Sequence, residues 1–188
     1  MGNESIPSSL EYGIEKHAHI FAVWAASRAA SVKQCRFKVQ DGRGILEECG
    51  FKPEFSTPEY LPKATEIDSQ HRLWRDQACC FAKGLGKDNF THGIAAKLIN
   101  VYLKSRFVCG GYHDDDRVKA LHPPIDRLLL EELGRQKIWR HGIELKDARK
   151  KGWSNMTSSD YEGLITLIRD NMPDKPLWMI EENWKGHQ

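Results

Sequence analysis

THGIAAKLINVYLKSRFV, residues 91–108, is the stretch on which the fold class turns. Its apolar side chains, Ile94, Leu98, Val101, Tyr102 and Val108, return with the period of a helix, and Gly110-Gly111 stops the run. Downstream, YHDDDRVKA reads as a polar loop. Pro123-Pro124 then excludes helix until Asp126, which stands where an N-cap belongs ahead of RLLLEEL. Beyond it the pattern predicts a helix near residues 131–140, a basic segment, and a helix in TSSDYEGLITLIRDNM capped by Thr157 or Ser158. A short aromatic helix in PLWMIEENW is expected to dock back on the body. Upstream, residues 10–32 carry Ile14, Ala18, Phe21, Ala22, Ala25 and Ala29 at helical spacing. Gly42 and Gly44 are expected to break the chain beside a short helix closed by Gly50, and Pro53, Pro58 and Pro62 predict a surface loop. Asp68 is the expected N-cap of a helix through HRLWRDQACCFAKGL that stops at Gly84 to Gly86. No alternating strand pattern competes, apart from an ambiguous RFKVQ at residues 36–40. The expectation is all-α: a single compact helical domain over residues 1–188, with scope for two helical lobes and a cleft.

Composition narrows the classes. The 188 residues are 40% hydrophobic and 29% charged, the balance of a globular chain with a real core. The longest apolar stretch, residues 20–26, is far short of the roughly 20 residues that a membrane span needs. The opening MGNESIPSSLEYG lacks the basic and apolar regions of a secretory signal. Cys35, Cys49, Cys79, Cys80 and Cys109 include no CxxC pair, which suits neither a disulfide scaffold nor a zinc or iron–sulfur site; reduced, mostly buried thiols are expected. Net charge is only +2, but residues 135–151 hold seven basic side chains (Arg135, Lys137, Arg140, Lys146, Arg149, Lys150 and Lys151) against two acids. Such a block reads either as a phosphate-facing surface or as a solvated helix end.

Lys97 is the odd residue on the helix of residues 91–108. It lies in the first turns, behind a small-residue entry, with apolar neighbours on both sides, and Asn100 and Lys104 share its face. A lysine in a partly apolar site holds its proton less tightly, because burial disfavours the ammonium. The neutral amine can then form a Schiff base with an electrophilic carbon. Asp126, behind its two prolines, supplies a carboxylate to orient the amine and to balance positive charge that develops nearby.

Thr91-His92-Gly93-Ile94-Ala95-Ala96-Lys97 resembles the hairpin of the helix–hairpin–helix DNA glycosylases, where a Gly-hydrophobic-Gly turn enters the second helix with a catalytic lysine just inside; Ala95 stands at the second glycine. His122-Pro123-Pro124-Ile125-Asp126 resembles the segment that ends in that superfamily's aspartate. The order of the two is most like the bifunctional 8-oxoguanine DNA glycosylase/AP lyases, with the helix–hairpin–helix and catalytic segment over about residues 76–133. The resemblance implies removal of a damaged or modified base, 8-oxoguanine first, through a lysine Schiff base, with Lys97 as nucleophile and Asp126 as its partner. It implies double-stranded DNA with a flipped-out base as substrate, no cofactor, no metal, no membrane partner, a monomer, and a cytoplasmic (nucleoid-associated) or nuclear location. His92, Gly93, Ala95, Lys104, Arg140, Lys150 and Lys151 are the expected DNA contacts, and Trp178 and Trp184 the expected walls of the base pocket.

Plainer readings stand beside this one. A helical lysine is ordinarily a surface charge, and an aspartate after Pro-Pro-Ile an N-cap. Lys104 is the fallback nucleophile. The chain could be a non-catalytic helix–hairpin–helix DNA-binding protein, a glycosylase for modified bases of invading phage DNA, or an all-α interaction protein whose Lys97 and Asp126 form a structural ion pair. Asp114-Asp115-Asp116 with His113 and His122 has metal-ligand chemistry but reads as a solvated loop. Trp24 and Trp74 are expected in the core, and His17 and His19 at the surface or in packing.

Overall fold

Small side chains set the geometry of the N-terminal half. A computed structural model describes residues 12–136 and 143–186; it is all-α, with no strand among those residues and only an isolated bridge between Val32 and Cys35. Helix α1 (Ile14–Ala30) packs on α4 (His92–Leu103) through a stripe of His19, Ala22, Val23, Ala26, Ser27 and Ala30. That stripe is turned away from the expected one. Trp24, expected in the core, is 51% exposed beside the exposed Phe21, because a close helix pair has room for alanine and none for indole. Trp74 is buried as expected.

Helix α2 (Val39–Glu48) begins ahead of both glycines expected to break it. The Lys38 N–H donates to Asp41 Oδ2 at 2.8 Å, and Gly42 sits within the helix because a Cβ there would overlap Ser27 of α1. The loop after Gly50 contains two single turns, Pro58–Tyr60 and Ala64–Glu66. Helix α3 (Ile67–Gly84) starts two residues too early for Asp68 to cap it, so that carboxylate is free for other partners. Past α4 the chain continues as a π-helical segment, Lys104–Tyr112, closed by Gly111 at φ +95°. Within the expected acidic loop Asp115 caps a one-turn helix, α5 (Asp116–Lys119).

Asp126 caps α6 (Arg127–Arg135), its Oδ1 accepting the Leu129 N–H at 2.9 Å; α6 runs into the span of the second helix expected near residues 131–140, the rest of which lies mostly outside the described residues. The basic segment forms α7 (Ile143–Lys151). Thr157 and Asp160 cap α8 (Ser158–Asp170) reciprocally, and the tail is a 3₁₀ helix, Leu177–Asn183. Among the cysteines Cys35 and Cys49 are buried, but Cys80 and Cys109 are exposed. No helix among the described residues is long and apolar enough to cross a membrane.

The core is in two parts. One cluster gathers α1 to α4 around Phe51, Leu98, Ile99 and Tyr102; the other gathers α6, α7, α8 and the tail around Leu129, Leu133, Leu164 and Ile168. Helix α4 serves both. Ala95 belongs to the first cluster, Ala96 to the second, and every residue from Gly93 to Asn100 is buried. Gly93 seats α4 on the turn after α7: its N–H donates to the Met156 carbonyl at 3.2 Å, and a Cβ would overlap the Trp153 carbonyl oxygen. Because the obstacle is backbone, Gly93→Ala is expected to cost about 1–3 kcal/mol, as overpacking does. A lowered urea midpoint with an unchanged slope is the check.

Candidate active site

Lys97 is carried by α4 into the space between the two clusters and is only 7% exposed. Its Nζ donates to Asp126 Oδ2 at 3.2 Å. The same Oδ2 accepts the Trp184 Nε1–H at 2.8 Å, so the N-cap of α6 is also the acceptor for an amine and an indole. The capping bond fixes the carboxylate independently of the lysine. Trp153 closes the other side, its ring centroid 5.9 Å from Nζ. Burial lowers the proton affinity of Lys97; Asp126 and Glu181 oppose that, while Lys104 adds to it. Lys104 forms an ion pair with Glu181 and lies 5.9 Å from the Trp184 ring. Burial raises the Glu181 carboxyl above its ordinary value, against the pull of Lys104.

A buried polar layer, unforeseen in the sequence, holds this pair in place. Asn100, one turn beyond Lys97, donates through Nδ2 to the Pro123 carbonyl at 2.9 Å and to the Tyr161 hydroxyl at 2.8 Å. Its Oδ1 therefore accepts from His71 Nε2–H at 2.7 Å, which fixes that tautomer. Tyr161 passes its own proton toward His122 Nδ1 at 3.1 Å, and His122 Nε2–H donates to Asp68 Oδ1 at 2.8 Å. Arg169 grips both oxygens of Asp68 at 2.8 Å. Arg75 is buried with its guanidinium 4.6 Å from the Tyr161 ring, and it pairs with Glu162 at 2.7 Å. The layer ties α3, α4 and α8 to residues 122–125, the approach to Asp126. It borders a cavity of about 540 Å³ lined by Asp68, Arg72, His122 and Glu162.

The residues expected to meet DNA are divided by the fold. Gly93 and Ala95 are buried, and their N–H groups donate to Met156 and Thr91 carbonyls, so the segment expected to approach a phosphate backbone is spent on packing. The half-buried His92 sits 3.8 Å from Asp76, and the exposed part of the α3–α4 turn is residues 83–89 instead. Lys104 is bound by Glu181, and Lys151 pairs with Asp160 at 2.5 Å. Lys150 is exposed and, with Arg127, Lys146 and Arg149, lines a cleft of about 550 Å³ that has Trp153 in its wall. Arg140 lies outside the described residues. Of the two tryptophans expected to wall the base pocket, Trp184 reaches the Lys97–Asp126 pair, and Trp178 packs edge-on against His113. His122 is drawn into the polar layer, away from the acidic loop. No group of three or more His, Cys, Asp or Glu among the described residues is placed to hold a metal.

Trp153 and Glu181 are the site residues that sequence reasoning missed. The signal for Trp153 was an aromatic directly after the basic run; Glu181 had none beyond its nearness to Trp184. No protein-family model, curated protein or solved structure matches the chain.

The polar layer has a pH consequence. Burial lowers His122 and pushes His71 well below the ordinary value of 6.5, and burial with Arg106 and Arg43 lowers His19 to about 4. Each is neutral in the fold and gains a proton on unfolding below pH 6.5, so the stability linked to them is full above that pH and is lost as pH falls toward the folded values. Asp68, held far below the usual carboxylate range by His122 and Arg169, adds a loss of the same sign at still lower pH. The urea midpoint should be flat from pH 7 to 8 and decline steadily from pH 6.5 to 5; a flat profile across that lower range would contradict the buried, neutral histidines.

Proposed function

We propose that this chain is a DNA glycosylase with AP-lyase activity that removes a damaged or modified base, 8-oxoguanine first, through a Schiff base on Lys97. The observation that carries the reading is the 3.2 Å contact of a buried lysine amine with a carboxylate fixed by its own capping bond, between two tryptophans and beside a cationic cleft. Phosphates of the duplex lie along Lys146, Arg149 and Lys150, which gives salt-sensitive binding without sequence preference. This places the phosphate grip on α7 rather than on residues 92–95. The flipped nucleotide passes Trp153 and brings its sugar to Lys97.

The neutral amine attacks the anomeric carbon as the glycosidic bond breaks, and the base leaves with the bonding electrons and takes up a proton. Asp126 counterbalances the positive charge that grows on the sugar. Loss of a proton from the attached amine and opening of the ring give the Schiff base. Removal of a proton from the adjacent sugar carbon then expels the 3′ phosphate, which cleaves the strand. The scheme uses no cofactor and no metal, and it assigns the chain to a compartment that holds DNA.

A structural ion pair is the competing reading, favoured by the three donors that already occupy Asp126. Borohydride trapping on a panel of duplexes with oxidised or otherwise modified bases, phage-type modifications included, separates the two. Wild type is expected to give a covalent adduct, Lys97→Gln none, and Asp126→Asn a yield lower by about 10²-fold. Adducts of undiminished yield in Lys97→Gln would overturn the mechanism. The double variant Lys146→Glu/Lys150→Glu should weaken duplex binding and flatten its dependence on salt, measured by fluorescence anisotropy from low to physiological ionic strength.

A further inference from the structure

Asp126 is not the only charge that faces Lys97. Lys104 stands seven residues on, two turns along the same face, and Glu181 reaches the site from the tail. Lys104 and Glu181 are ion-paired, and the Lys104 ammonium lies 5.9 Å from the ring of Trp184, whose Nε1 donates to Asp126. Trp184 is thus a wall shared by two cation–carboxylate pairs. The charges that bear on Lys97 are Asp126 from the start of α6, Glu181 from the tail and Lys104 from its own helical run; the turn after α7 contributes the neutral Trp153 ring.

We propose that Lys104 and Glu181 are positioning residues that tune Lys97 in opposite directions: the ammonium of Lys104 favours the neutral nucleophile, and the carboxylate of Glu181 favours the charged resting form. With the tail seated, Lys97 faces two carboxylates and one ammonium. Glu181 and Trp184 belong to one short segment, so a single element supplies both the second carboxylate and the indole that holds Asp126. The value of this device rests on the glycosylase reading; the charge coupling itself does not.

The test reads Lys97 directly in the full chain without DNA. Reductive methylation with formaldehyde and borohydride, followed by peptide mass spectrometry, gives the pH midpoint at which Lys97 becomes reactive. Glu181→Gln should move the midpoint to lower pH and speed labelling several-fold at a fixed pH below it. Lys104→Gln should move it to higher pH, the double variant should return it close to wild type, and Lys104→Arg, which keeps the charge, should leave it unmoved. A mere packing role predicts no such opposition of sign. Shifts in one direction for both single variants, or no shift in either while circular dichroism is unchanged, overturn the proposal. Opposed shifts with no DNA adduct in any trapping reaction would sink the glycosylase reading alone; adducts with flat labelling profiles would sink this one alone.

Discussion

A charged amine withdrawn from water between two apolar clusters is tolerable only against a fixed counter-charge, and the C-terminal half of this fold is arranged to supply one. Removing one partner of such a buried pair leaves an uncompensated charge, whose cost is several-fold larger than what the pair itself contributes. Asp126 meets the requirement because it is immobilised three ways. The Leu129 N–H holds one oxygen, the Trp184 indole holds the other, and the residues before it are anchored through the Pro123 carbonyl to Asn100 of the helix that bears Lys97. The amine and its carboxylate are therefore registered to one another through a single asparagine set one turn from the lysine.

That asparagine also ties the helices of the two hydrophobic clusters to one another. A wholly apolar junction between α4 and α8 would accept small slides, since dispersion contacts are non-directional. The chain of donors from Asn100 through Tyr161 and His122 to Asp68 has one consistent proton arrangement, and any slide breaks several bonds in a place that water reaches poorly. Arg169 and Arg75 end the chain on the α3–α8 side, pinned by Asp68 and Glu162. Directional bonds at the seam turn loose lobes into a defined pocket.

Much of the architecture was legible because it is local. The Pro-Pro-Ile-Asp start of α6, the Thr157 cap of α8 and the glycine stops after α3 and the π-helical segment are decided within a few residues. The Lys97–Asp126 pairing was legible for another reason: two locally unusual residues in the right order. What escaped reading is long-range. Asp68 looks like a cap in sequence, yet its partners lie 54 and 101 residues away, and only the start of α3 at Ile67 frees it for them. Trp24 looks like core because a tryptophan on an alanine-rich helix usually is, but the closeness of α1 to α4 excludes its bulk. Gly93 looks like a hinge for approach to a ligand and serves instead for approach to the Trp153 backbone. The sequence marks that a glycine is needed there without marking who the neighbour is.

The same distinction bears on chemistry. Donors converge on both oxygens of Asp126, which equips it as a counter-charge and leaves it poorly placed to shuttle protons. Glu181 is held by one lysine, on the 3₁₀ tail. The carboxylate held by three donors and the one held by a single lysine thus sit on different helices. Lys97 therefore faces one carboxylate whose position is set by the start of its own helix and a second whose position depends on a single ion pair.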